Sequence, residues 1–270
     1  MRGNAAVLGA AAVAILAGTA PGIQAQDASF RWQNDMRPGQ VLEVRGIVGD
    51  IRAEPATGGR AEVVAEKHGR SRDFGDVEIR VEESRGGYVV CAVYHARDRQ
   101  ATGCDDHDDG DRDRGRRRSI DVEVDYVVRV PVGVEFKAAL VSGDIEARGL
   151  RSLVRANTVS GDIDVSTTEK AWANTVSGSI DVEMGSSEWS DLEFRTVSGD
   201  ITLWLPAGLE TDVDFQSLTG DIDSDFDITL VGRQKRSWIG SNVEGYIGDK
   251  GRRSLTFNTV SGDVRLRRGR

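Results

Sequence analysis

The sequence predicts an all-β protein of the β-solenoid class, a parallel β-helix-like array of short coils. Three observations lead there. A five-residue string returns along the chain at near-regular spacing, apolar residues alternate at period two on both sides of it, and helical periodicity is absent beyond the N-terminal stretch.

The string reads VSGDI at Val141–Ile145 and Val159–Ile163, VSGSI from Val176, VSGDI from Val197, LTGDI from Leu218 and VSGDV from Val260. Its glycines are Gly143, Gly161, Gly178, Gly199, Gly220 and Gly262, so the steps are 18, 17, 21, 21 and 42 residues. The last step reads as two periods of 21 with one motif lost. Coils of 17–21 residues suit a stacked array in which each unit covers its apolar face only with its neighbours.

Counting back seven and five places from each glycine gives Phe136 and Ala138, Val154 and Ala156, Ala171 and Ala173, Leu192 and Phe194, Val213 and Phe215, and Leu255 and Phe257. Two and four places after it come Ile145 and Ala147, Ile163 and Val165, Ile180 and Val182, Ile201 and Leu203, and Val264 and Leu266. Ile222 is followed by Ser224, a weaker copy. Each block is therefore strand, corner, strand. The glycine supplies the positive φ of a sharp corner, and the Asp after it is expected to cap its own turn. Stacking would place like on like, with ladders of Ile, of Val, and of Thr158, Thr175, Thr196 and Thr259. Outward positions of the repeats read as small or variable.

The same register holds around Gly49, with Leu42, Val44, Ile51 and Ala53 in place, and Ile47 two residues before the glycine. Residues 41–53 are thus a first repeat copy, 54–130 a β insertion, and 131–270 the main array. The insertion holds strand-like runs at Ala61–Ala65, Val77–Val81, Tyr88–Tyr94 and Ile120–Val130.

At the N-terminus, Arg2, the apolar run Ala5–Ala17, Pro21 and Gly22, and Ile23-Gln24-Ala25 have the order of a secretory signal. The expected organisation is a signal peptide over residues 1–25 and one all-β repeat domain over 26–270. No second apolar stretch is long enough to span a bilayer, so no stable membrane span is expected after cleavage. The mature chain is expected to be exported: periplasmic, on the outer surface, or secreted. Its two cysteines, Cys91 and Cys104, are expected to pair there.

A net charge of −9 makes nucleic acid a poor partner. The run Arg112–Arg118 adjoins an acidic run that cancels it. In that junction Asp105, Asp109, Gly110 and Asp113 sit at loop-like offsets for calcium, but His107 replaces an oxygen ligand and Arg116 stands where a closing carboxylate belongs. The segment Asp105–Asp113 reads as a solvated loop, with a cation site as the alternative. The motif aspartates Asp50, Asp144, Asp162, Asp200, Asp221 and Asp263 read as turn residues rather than metal ligands, because Ser179 replaces one without breaking the pattern. His68, His95 and His107 lie in no nucleophile or metal motif, and the repeated serines are unlike a single activated nucleophile. Trp32, Trp172, Trp189, Trp204 and Trp238 read as core or coil-edge residues rather than a sugar platform. No catalytic, cofactor-binding or metal-binding residue is assigned, and no cofactor is expected.

Beyond these patterns, several segments carry a family resemblance: FRW at Phe30–Trp32, PGQVLEVRGIVGDI from Pro38, VVCAVYH from Val89, and VRVPVGVEFKAALVSGDIEA from Val128. LWLPAGLETDVDFQSLTGDIDSDF from Leu203 and GYIGDKGRRSLTFNTVSGDVRL from Gly245 continue it. The chain resembles the bacterial β-strand repeat proteins of unknown function commonly labelled putative adhesins. The resemblance implies an exported β-solenoid-like repeat domain with no established catalytic residues. The expected function is a non-catalytic envelope or surface module that offers an extended β surface to an envelope component or a protein partner. An envelope-stress sensor module is the alternative, and a carbohydrate-active β-helix enzyme a more distant one.

Overall fold

The computed structural model describes residues 28–84, 86–95, 104, 121–189, 191–231, 241–249 and 253–269. The signal region, the Asp105–Asp113 loop with His107, and Trp238 lie outside the described residues. The strands begin with β1 (Ser29–Asp35), β2 (Val41–Arg45), β3 (Ile51–Pro55) and β4 (Arg60–Gly69). A 3-10 turn, Ser71–Asp76, leads into β5 (Val77–Ser84), β6 (Gly87–Tyr94) and β7 (Val122–Val130). The array proper runs through β8 (Glu135–Ala139), β9 (Ile145–Leu150), β10 (Val154–Asn157), β11 (Ile163–Thr167), β12 (Ala171–Asn174) and β13 (Ile180–Met184). It continues with β14 (Asp191–Arg195), β15 (Ile201–Leu205), β16 (Thr211–Thr219) and β17 (Ile222–Ser224). The last strands are β18 (Ile228–Leu230), β19 (Ser241–Ile247), β20 (Ser254–Ser261) and β21 (Val264–Arg268).

They form two sheets joined at the glycine corners. One runs β1-β4-β7-β3-β9-β11-β13-β15-β21-β17, and the other β18-β19-β16-β20-β14-β12-β10-β8-β2-β6-β5. Successive coils pair in parallel and in register. Ile163 lies between Ile145 and Ile180, and Ala156 between Ala138 and Ala173. The alternating residues read from the sequence are the buried ones, and their rows merge into one core. The shortest step, Gly161 to Gly178, carries the smallest inward pair, Ala171 and Ala173. Toward the C-terminal end the core fills with Phe194, Phe257 and Phe215, the first two stacked at 6.0 Å.

The corners explain the motif. Gly143, Gly161, Gly178, Gly199, Gly220 and Gly262 have φ between 135° and 152°. A Cβ on Gly161 would stand 2.0 Å from the Gly143 carbonyl oxygen, and the same collision recurs along the column. Glycine is thus required twice, by conformation and by the approach of the next coil. Beside it the threonine hydroxyls of Thr158, Thr175 and Thr196 donate to the carbonyls of Gly143, Gly161 and Gly178 at 3.1–3.2 Å. Thr259, the fourth of the series, is buried with its hydroxyl unpartnered.

Two expectations change. The final 42-residue step contains no worn coil. After β17 the chain turns back through β18 and β19, and β19 pairs antiparallel with β18 on one side and β16 on the other. The last repeat, β20–β21, then inserts between β14–β15 and β16–β17. The N-terminal insertion is likewise more than an appendage. β6 and β7 pair in parallel with β2 and β3 and so extend the array by a further pair of strands. β5 pairs antiparallel with β6, and β4 with β7 and β1, so the array ends in antiparallel strands on this side. Trp32 and Tyr88, 5.0 Å apart between ring centres, close the gap between the sheets there. Cys91 and Cys104 are disulfide-bonded, and with Val93 they form a small buried cluster separate from the main core.

Two outcomes test this architecture. Gly161→Ala is expected to cost about 3 kcal/mol or more, since it meets both the positive φ and the neighbouring carbonyl; a denaturant midpoint unchanged from the parent would contradict the column. Truncation before Arg253 removes an internal coil rather than a terminal one. Its four inward side chains, Leu255, Phe257, Val264 and Leu266, represent roughly 6–12 kcal/mol of burial at about 1.5–3 each. The truncated chain should lose cooperative melting by circular dichroism, whereas simple fraying from an end would leave most of the transition intact.

Candidate interaction surface

The filled interior leaves the outside of the array to carry function: two sheet faces, the narrow side where the glycine corners stack, and the opposite narrow side where the turns between coils stack. On the first sheet the outward column runs Arg52, Glu146, Asp164, Asp181, Thr202, Arg265 and Asp223. Its charges pair with one another: Arg52 with Glu146 at 3.0 Å, Arg148 with Asp164 at 2.6 Å, and Arg267 with Asp223 at 2.6 Å. Partial burial, and then the adjacent Asp164 charge, push the Asp181 carboxyl above the ordinary range. On the second sheet the outward column includes Lys137, Arg155, Trp172 and Glu193. The Arg155 guanidinium lies 3.9 Å from the centre of the Trp172 ring, and Asn174 donates to Asn157 at 3.0 Å. Both sheet faces therefore satisfy many of their own polar groups.

The third face is the narrow side where the corners stack. In each coil the residue two places before the glycine points outward: Ile47, Val141, Val159, Val176, Val197, Val260 and Leu218, in spatial order. Each is 41–49 % exposed, so the face carries an unbroken apolar ladder. The outward positions of the repeats are therefore not all small or variable, as expected from the sequence: this one is aliphatic in all seven glycine-centred coils. The signal was present in the string itself, in the Val, Ile or Leu that opens each copy. Its backbone is held coil to coil. The N–H groups of Ser142, Ser160, Ser177, Ser198 and Ser261 donate to Ile47, Val141, Val159, Val176 and Val197 at 2.8–2.9 Å.

A carboxylate ladder runs beside it. Asp50 Oδ1 accepts the N–H of Asp144 (2.9 Å), Asp144 that of Asp162 (2.8 Å), and Asp162 that of Ser179 (2.7 Å). Asp200 accepts from Asp263 (2.9 Å), and Asp263 from Asp221 (3.0 Å). The motif aspartates thus cap the corner of the neighbouring coil rather than their own turn. Asp125 of β7 begins the series by accepting the Asp50 N–H at 2.8 Å, a role no motif announced. Ser179 has no carboxylate to offer Asp200, so the ladder is interrupted at that step. The Asp263 N–H and then the Arg265 guanidinium hold the Asp200 carboxyl below the ordinary carboxylate range.

The histidines are dispersed. His68 Nε2 lies 3.2 Å from Asp125 Oδ2 on the first sheet, and His95 Nε2 lies 3.0 Å from Glu78 Oε2 beside the second. Trp189 is buried, while Trp172 and Trp204 face outward, half-buried, on opposite sheets. Among the described residues no three His, Cys, Asp or Glu side chains are grouped to hold a metal ion. No helix among them is long and apolar enough to cross a membrane.

The ladder makes a quantitative expectation. Asp162→Ala removes an acceptor from the Ser179 N–H and should cost about 1 kcal/mol, while Asp162→Asn keeps the oxygen and should cost less. Ser179→Asp should complete the series and raise the melting temperature, because Arg265 already offsets the Asp200 charge. A lower melting temperature for Ser179→Asp would show that like-charge repulsion outweighs the added hydrogen bond.

No curated protein matches the chain. A putative cell adhesion protein from Clostridium sporogenes is similar at 10 % identity and a TM-score of 0.44, with 89 % of this chain and 99 % of that one covered. A putative adhesin from Bacteroides fragilis is similar at 14 % identity and a TM-score of 0.38, covering 90 % of this chain and 100 % of that one. A putative adhesin from Parabacteroides distasonis shows 9 % identity and a TM-score of 0.31 over 88 % and 96 % of the two chains. Residues 118–267 match the Toastrack family DUF4097, more than half of the sequence, and the chain belongs to that family.

Proposed function

We propose that this protein is an exported, non-catalytic binding or scaffold module of the bacterial cell envelope. The observation that carries the reading is the contrast between a filled core and a continuous, backbone-rigid outer ladder. Such an array offers a partner many repeated contacts along its length rather than one reactive pocket. The disulfide supports export, since such bonds persist in oxidising compartments. The N-terminal apolar stretch, with its basic Arg2 and small residue Ala25, adds to that reading.

The expected outcome is binding without turnover. Purified protein immobilised against envelope fractions, glycans and peptides should retain a partner, and His68→Ala or His95→Ala should leave that retention nearly unchanged. Reproducible cleavage of a glycan or peptide, abolished by one carboxylate or histidine substitution, would overturn the reading.

A further inference from the structure

We infer that the narrow face is a docking groundwork for one kind of partner: a cationic amphipathic α-helix laid along the apolar ladder. The inference rests on the binding-module reading and names its site and partner chemistry. Dimensions come first. Seven stacked coils make six steps of about 4.8 Å, so the ladder is roughly 29 Å long. A helix rises about 1.5 Å per residue, so some 19 residues match that length, and its apolar stripe suits a single narrow row of side chains.

Area narrows the choice of occupant. The seven half-exposed aliphatic side chains present roughly 500 Å² of apolar surface, in the range of about 300–600 Å² typical of the largest patch on a monomer, one that is often functional. A standard interface needs about 800 Å² from each partner, so a second copy meeting ladder to ladder would fall short. A single helix needs less.

Charge gives the sign and the orientation. The chain crosses the ladder once per coil, so each flank has its own chemistry. After the aliphatic residue come Asp50, Asp144 and Asp162, whose Oδ1 atoms are engaged by backbone N–H groups. Before it, at the end of the second sheet, stand Asn157, Asn174 and Arg195. Over the coils of Gly49, Gly143 and Gly161 one flank is anionic, whereas further along Ser179 carries no charge and Arg265 pairs with Asp200 and Asp263; the other flank is amide and guanidinium. A helix with Lys or Arg along one border of its apolar face is complementary, and the net charge of −9 would steer it. The same carboxylates disfavour an anionic lipid surface.

The test titrates the full chain with a labelled 19-residue Leu/Lys peptide whose leucines recur at helical spacing and whose lysines border them, followed by fluorescence anisotropy. Controls are the same composition scrambled and a Leu/Glu version. The triple variant Val159→Ser, Val176→Ser, Val197→Ser keeps the net charge and changes only exposed side chains; its melting temperature verifies folding. We expect it to lose tenfold or more in affinity. Asp144→Asn with Asp162→Asn keeps the amide acceptors and should weaken binding several-fold while flattening its salt dependence. Equal binding of the scrambled peptide, or of the triple variant, would overturn the inference. So would ladder-dependent dimerisation in sedimentation, or ladder-dependent binding to phosphatidylglycerol vesicles without peptide binding. If the parent and the triple variant retain the same envelope partner, the ladder assignment fails while the binding module stands. If the parent retains no partner at all and cleaves a glycan or peptide, the functional reading fails instead.

Discussion

The close approach of successive coils at the glycine column is the constraint on which the rest of this structure depends. With a carbonyl oxygen 2.0 Å from where the Gly161 Cβ would stand, the corner admits only hydrogen at that position. Once the coils stack that closely, everything beside the glycine falls into register. Threonine reaches back to the preceding carbonyl on one side of the corner, and aspartate accepts the next coil's N–H on the other. The inward isoleucines then meet at strand spacing. The motif is therefore a set of contacts between coils written into each coil, which is why one copy alone would have no reason to fold.

The same logic explains the order of the coils. The copy around Gly220 is incomplete, with Ile222 only half-buried and Ser224 where its siblings place an aliphatic residue. A coil with a weak inward strand is least costly at an end, where one neighbour suffices. The last copy, with Leu255, Phe257, Val264 and Leu266 all buried, can satisfy neighbours on both sides. Inserting it between Gly199 and Gly220 places the complete copy inside and the defective one beside the antiparallel strands β18 and β19. Phe226 is buried there beneath Arg268, whose guanidinium lies 5.5 Å from its ring centre.

Much of this was legible in the chain. Period two on both sides of a glycine assigns inward residues without any structure, and Ile163 between Ile145 and Ile180 follows from counting alone. Strand order was not legible, because each coil carries the same edge chemistry and a 42-residue step is equally compatible with a lost copy. The pair made by β6 and β7 was hidden for a related reason. Its two strands are separated by 27 residues in sequence with no glycine motif at the register of the other copies, so only the alternation in each strand is readable. The aspartate partners are not legible in the chain, because a carboxylate can cap its own turn or the next one and only stacking decides which.

The apolar ladder is hard to read in the chain for a different reason. An exposed valine in one turn is ordinary, since folded proteins leave many apolar atoms in water. Its meaning arises only from repetition in space, where parallel stacking converts an unremarkable residue into a row. Neither core packing nor the turn requires it: the side chain points away from the interior, and serine or threonine at that position would leave the backbone bonds of the corner intact. Each of these aliphatic residues is more than half covered within the array, so part of the preference comes from stacking against the neighbouring coil, and the rest of each side chain remains in water. Their exposed halves form a continuous row along the array, and that row is the surface on which the docking proposal rests.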